Sequence, residues 1–168
     1  MLDQFRGVSL VAATIAMGLA AGLYYAYACS VMLGLGKADD RTFVEGMQKI
    51  NVAILNGWFF LTFAGALLLT AVAAVLHFRG DGGRAAFAWI VAALVLYVVV
   101  LIVTMGFNVP LNDRLEAAGD PARIADLAAV RENFEAAWVR WNIVRTLACT
   151  AAFGCLTWAL VLYGRSGS

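Results

Sequence analysis

Between Arg6 and Lys37 the chain carries no charged residue. Some thirty such residues, wound as a helix, reach about 45 Å, more than the roughly 30 Å hydrocarbon layer of a bilayer. Further apolar runs of similar character cover about 50–76, 85–107 and 141–163. Inside lipid a backbone must satisfy its own polar groups, and a helix does so within a single run. Apolar residues make up 63% of the 168 and charged residues 14%, against about a quarter charged in a water-soluble domain. No soluble core of this size hides that much apolar surface. The sequence therefore predicts one all-α domain over 1–168, a transmembrane four-helix bundle. Its spans lie at about 8–36, 50–76, 85–107 and 141–163, with short extramembrane helical extensions at one end.

The connections follow from local chemistry. Ala26-Tyr27-Ala28-Cys29 has the look of a lipoprotein cleavage site. The apolar run is too long for a signal peptide and continues past Cys29, so the first span is expected to be retained. Asp40 is expected to cap an amphipathic helix that runs into span two without a clear break. His77-Phe78-Arg79 ends that span, and Gly80-Asp81-Gly82-Gly83-Arg84 forms a short glycine-rich turn. Pro110 should stop span three, because it removes a donor and disfavours helix at Val109. Asp120 and Pro121 read as N-cap and first residue of another helix. That helix merges into span four and leaves a frayed tail at Gly164–Ser168.

Composition removes several function classes. The formal charge of +1 and the lack of a basic patch argue against a nucleic-acid partner. Arginine outnumbers lysine ten to two, which suggests a GC-rich bacterial source. Cys29, Cys149 and Cys155 all sit in apolar stretches and read as small packing residues. His77 is the one histidine, so a metal or haem centre with two histidine ligands is excluded within one chain. No metal and no cofactor is expected. Met17, Met32, Met47 and Met105 read as packing residues, and His77 as an interfacial side chain.

Span one carries Thr14, Gly18, Gly22, Ala26, Ser30 and Gly34 at unbroken four-residue spacing. Such a stripe admits a second helix at close range. The second helix comes from the same chain or, through Gly18 and Gly22, from another copy in a homo-oligomer; the same stripe could also wall a substrate groove.

Four spans put the connection between spans one and two on the same side as that between three and four. One end thereby receives Gln48, Asn51 and Asn56 from the first connection, and Asn108, Asn112 and Asp113 from the second. It also receives Trp138, Trp141, Asn142 and Arg145, which fall at i, i+3, i+4 and i+7 and so share one helix face. Phe134 and Glu135 extend that face upward and Cys149 downward. Tyr24 and Tyr27, three apart, can share a face toward the same end. Arg145, inside the last polar segment, should face the bundle interior and find partners, with Asp113, Asn142 and Asn112 as candidates. Two readings compete. In one, these groups are interfacial belt and interhelical glue. In the other, they are a site.

The segments Asn108-Val-Pro-Leu-Asn112 and Trp138-Val-Arg-Trp141-Asn142-Ile-Val-Arg145, with Gln48-Lys-Ile-Asn51 ahead of span two, resemble an anthrone-oxygenase-like family of small four-helix membrane proteins. The resemblance covers essentially the whole chain. It implies a membrane-embedded, cofactor-independent oxygenase-like activity on a hydrophobic aromatic substrate, anthrone- or hydroquinone-like. Fungal members oxidise an anthrone to an anthraquinone, whereas most bacterial members have no assigned substrate. Under this reading Arg145, with Asn142 or Asn112, holds the substrate anion. Asp113, or Glu135, is the base. Trp138 and Trp141 provide flat walls, and Asn112, Asn108, Asn51, Asn56, Tyr24 and Tyr27 line the substrate site.

A binding or transport protein for a quinone, lipid or other hydrophobic small molecule is the alternative, and a scaffold subunit a third reading. No carboxylate lies in the middle of any span, which argues against proton-coupled efflux. The lipid bilayer is an expected partner, and an inner (cytoplasmic) bacterial membrane the expected location. Counted by Lys and Arg the positive-inside bias conflicts with itself; by net charge the chain leans toward both termini in the cytoplasm.

Overall fold

The computed structural model describes residues 2–78 and 84–166. The turn expected at Gly80–Arg84 and the last residues of the tail fall largely outside the described residues. All described regular elements are helical. Four rods, Leu2–Leu35, Gly57–Phe78, Ala85–Ala117 and Leu127–Arg165, are long and apolar enough to cross a membrane, and the chain is an integral membrane protein by that architecture.

The first rod comprises α1 (Leu2–Ala26), a π turn (Tyr27–Val31) and α2 (Met32–Leu35). Asp39 ends the following loop and caps α3 (Asp40–Ala53), accepting from the Thr42 amide at 3.0 Å and the Thr42 hydroxyl at 2.7 Å. The cap is Asp39, one residue before the expected Asp40. The expected continuity into span two is also corrected. Helix α3 stops at Ala53, and α4 (Gly57–Phe78) starts afresh. Asn56 makes the break, its side chain accepting from the Trp58 and Phe59 amides at 3.0 and 3.2 Å.

The third rod joins α5 (Arg84–Val103) to α6 (Val109–Ala117) through a second π turn, Thr104–Asn108. Pro110 therefore does not stop the helix. In the wide turn the Val109 amide reaches back five residues to the Thr104 carbonyl. That local shift in register accommodates a residue that has no amide to donate. Gly119, at φ +83°, ends α6 as a left-handed residue after its C-cap. Asp120 starts a turn, accepting from the Ala122 amide at 2.9 Å. The true cap of α7 (Leu127–Ser166) is Asp126, which accepts from the Ala129 amide at 2.9 Å. Forty helical residues extend about 60 Å, so α7 stands well clear of the hydrocarbon.

Helix α1 packs against α4 and α7, and α5 packs against the same two, which closes a ring of four. The lower core is rich in alanine (Ala13, Ala20, Ala73, Ala93, Ala152, Ala159) around Leu10, Met17, Ile90, Tyr97 and Leu156. Small side chains let the helices approach closely where lipid supplies no hydrophobic drive. Gly18 does this directly: a Cβ there would lie 2.9 Å from the Phe153 ring of α7. Gly22 and Gly34, higher on the stripe, meet nothing within 4 Å. Leu19, Leu61, Leu68, Val75, Val95 and Leu147 are exposed and form an apolar belt.

A second core lies at the polar end, where α3, α6 and the head of α7 pack together through Phe43, Val44, Met47, Leu115, Phe134 and Trp138. Gln48 belongs to this scaffold. Its amide donates to the Leu115 and Gly119 carbonyls at 2.9 and 3.0 Å, tying α3 to the end of α6. Arg131 holds the first loop down on α7. It donates to the Gly36 and Ala38 carbonyls at 2.8 and 2.9 Å, pairs with Asp40 and Glu135, and lies 4.5 Å over the Phe43 ring.

His77, expected at the interface, is buried in the lower bundle. Its Nδ1 lies 2.8 Å from the Ala73 carbonyl and its ring meets Tyr163 edge-on.

Candidate functional site

Between the two cores the ring of helices is open. A cavity of about 410 Å³ lies there, walled by the two π turns, the end of α3, the start of α4, α6 and the head of α7. Both π turns contribute directly, through Tyr27 from the first and Thr104, Met105 and Asn108 from the second. A π turn inserts one residue into a helix and rotates the residues beyond it, a recurrent way of re-aiming side chains at sites.

Arg145 is the charged centre of this cavity. It is 8% exposed, and its Nε donates to Asn142 Oδ1 at 3.0 Å. The guanidinium sits 4.5 Å from the Tyr24 ring centre and 5.2 Å from that of Trp138, so its faces are held by π systems. Among the described residues no carboxylate lies within 4 Å of it. A buried cation without a counter-ion is costly in this setting, which is the usual mark of a group kept for binding or chemistry.

Asn142 lies one helical turn above and is 1% exposed. Its Nδ2 donates to the Tyr24 carbonyl at 3.3 Å, so the amide is oriented with its oxygen toward Arg145. Asn142 does not line the cavity; it aims the residue that does. Trp138 donates from Nε1 to Asn112 Oδ1 at 2.7 Å and packs against Tyr27 at 5.6 Å. Asn108, 1% exposed, donates from Nδ2 to the Trp138 carbonyl at 3.3 Å. Asn108 Oδ1 and Asn51 Nδ2 are buried without a hydrogen-bond partner, and both residues line the cavity.

Of the residues singled out from the sequence, Arg145, Trp138, Asn112, Asn108, Asn51, Tyr24, Tyr27 and Asp113 line one cavity. Asp113 is exposed at its rim and pairs with no cation among the described residues; of the three candidate partners of Arg145, Asn142 is the one that bonds it. Trp141 is corrected. It lies outside the cavity lining and stacks on Phe107, ring centres 3.7 Å apart. Asn56 caps α4 and does not reach the cavity. Glu135 is held by Arg131 at 2.6 Å. Met105, expected in packing, is 61% exposed at the cavity.

Sequence reasoning passed over Phe59, Phe60 and Phe63, which supply the aromatic wall at the head of α4. Phe59 and Phe63 are stacked at 5.1 Å. The signal was present as Trp58-Phe59-Phe60-Leu61-Thr62-Phe63, an aromatic cluster confined to the first turns of a span. Thr104 was also missed, since nothing in a Val- and Leu-rich run marks it.

The arrangement can hold a flat apolar body against phenyl rings, with a guanidinium, three amides and the carboxylates of Asp113 and Glu116 at its edge. A sequence profile described as anthrone oxygenase matches residues 58–155, more than half of the chain. No curated protein and no solved structure matches it.

Proposed function

The chain belongs to the anthrone oxygenase family, and from that premise we propose that it is a membrane-embedded oxygenase that oxidises an anthrone- or hydroquinone-like aromatic in the cavity beside Arg145. The observation that carries the proposal is the buried guanidinium, with no carboxylate within 4 Å among the described residues, facing a cavity with aromatic walls. An anthrone methylene loses a proton to give a delocalised enolate. That anion passes one electron to dioxygen, and the radical pair joins as a carbon-bound peroxide, which takes up a proton. Loss of the remaining C–H proton with cleavage of the O–O bond releases water and leaves the quinone. One anthrone and one dioxygen thus give one anthraquinone and one water. The electrons come from the substrate, so the reading needs no added cofactor.

Arg145, aimed by Asn142, stabilises the enolate oxygen in a water-poor site, where directed donors count most. Phe59 and Phe63 support the rings. Asp113, at the rim, takes the methylene proton. The inner membrane of a bacterium, with both termini cytoplasmic, is the setting that goes with this reading.

The test is dioxygen uptake by purified protein in nanodiscs, supplied with anthrone and no cofactor. We expect one dioxygen consumed per anthraquinone formed, faster than in protein-free nanodiscs. The exposed position of the base candidate Asp113 favours a second reading, a carrier that holds such a molecule without converting it. Saturable binding with uptake at the protein-free rate selects the carrier.

A further inference from the structure

We propose that Asn108 reads a hydroxyl group on the bound aromatic, with Asn51 reading a carbonyl, so that the cavity selects hydroxylated ring ketones over their bare parents. The inference rests on the aromatic-ligand reading above and goes beyond it to the ligand's edge chemistry.

The orientation of Asn108 decides the matter. Its amide nitrogen must face the Trp138 carbonyl, 3.3 Å away, because a carbonyl only accepts. The amide oxygen is then turned from that partner, and it is buried with no donor. The residue is 1% exposed and borders the cavity. A ligand seated against this wall satisfies that oxygen only by presenting a donor, as a hydroxyl does. Asn51 Nδ2, also buried and unpartnered, has the opposite demand and calls for an acceptor. Phe59, Phe60, Leu55 and Ile54 supply only apolar contact elsewhere on the wall. A ligand that lacks the donor leaves Asn108 Oδ1 unsatisfied. Sites built to bond a hydroxyl reject such analogues strongly, by up to 10⁴–10⁵-fold in favourable cases.

A hydroxyl adjacent to a ring ketone is internally bonded to it, so the free donor is one placed further round the ring. The experiment compares binding of anthraquinone, 1-hydroxyanthraquinone, 2-hydroxyanthraquinone and 2-methoxyanthraquinone to protein in nanodiscs at pH 6, read by tryptophan quenching. These quinones bind without turnover. The expected result is 2-hydroxyanthraquinone tightest, about 100-fold over the parent and over the methyl ether, in wild type. In Asn108→Leu the gap should close to within about threefold. Asn108→Ala removes the same acceptor with less bulk, and the gap should close there too, which covers the case in which the leucine variant does not fold. Equal binding of parent and hydroxylated ligands by wild type overturns the inference. So does a gap that persists in Asn108→Leu, which would show that Arg145 alone makes it. If wild type consumes dioxygen with anthrone yet shows no gap, the oxygenase reading stands and this inference falls. If none of the four quinones binds, both fall together.

Discussion

At the scale of single residues, the site depends on how few partners Arg145 has. Its only hydrogen bond among the described residues is the one from Nε to Asn142, and Tyr24 and Trp138 cover its faces. Arg145→Met keeps the length and apolar stem and removes the donors. We expect it to accumulate and bind quinone while losing about 100-fold or more in turnover, the usual scale for one oxyanion donor. Full turnover in a folded Arg145→Met would remove the centre of the proposal. Asn56, by contrast, reads from the sequence as a site residue and is a helix cap. Asn56→Ala should leave quinone affinity unchanged and lower stability by about 1 kcal/mol, measured by thermal unfolding in detergent. Asp39 adds a pH dependence. The Thr42 hydroxyl, then the Thr42 amide, hold its carboxyl below the ordinary range. Because the folded value is depressed, its contribution to α3 is present above the unfolded value and fades as pH falls through the folded one. The protection of the Phe43 and Val44 amides against exchange, taken relative to the intrinsic rate at each pH, should therefore fall on acidification below about pH 4. In Asp39→Asn that acid step should be absent.

At the scale of elements, the two π turns and the close helix approach carry the design. Gly18 and Gly22 belong to one stripe, yet only the first is crowded. Gly18→Val should push against Phe153 and cost about 1–3 kcal/mol, with Phe153→Leu recovering part of it. Gly22→Ala should be neutral or stabilising, since it meets nothing and removes a flexible residue from a helix. Thermal melts of the three variants check the contrast; equal losses at both glycines would show that the stripe acts through something other than α7. Part of this level was legible in the sequence: the spacing of the stripe, the four apolar runs and the merging of the polar head into span four. The π turns were not. They conserve helical composition and differ from an α-helix by one residue of register, which no apolar period records. Reading Pro110 as a stop came from treating every helix as α-helical, and the wide turn before it removes that conflict.

At the scale of the whole molecule, two cores with different chemistry enclose the cavity. The lower one is alanine-rich; the upper one is an amphipathic cap of α3, α6 and the head of α7. Arg131 locks the cap by binding the loop that follows the first rod. Orientation is open to a direct measurement. Arg123, with its side chain 87% exposed at the cap end, is a suitable reporter. In a background with Cys29, Cys149 and Cys155 replaced, Arg123→Cys should react with a membrane-impermeant maleimide in intact spheroplasts if both termini are cytoplasmic. Labelling that needs lysis would reverse the proposed orientation.

The apolar runs and the positions of charge determined by themselves that this chain spans a membrane four times and gathers its polar groups at one end. Hydrophobic length and loop parity are properties of the linear order, so they survive without coordinates. Which of those groups face one another was decided only by tertiary structure. Trp138 and Trp141 are three residues apart and chemically alike, yet one borders the cavity and the other stacks outside it on Phe107. The difference is a rotation about α7, set by close packing against α1 and α5, and no one-dimensional pattern contains it.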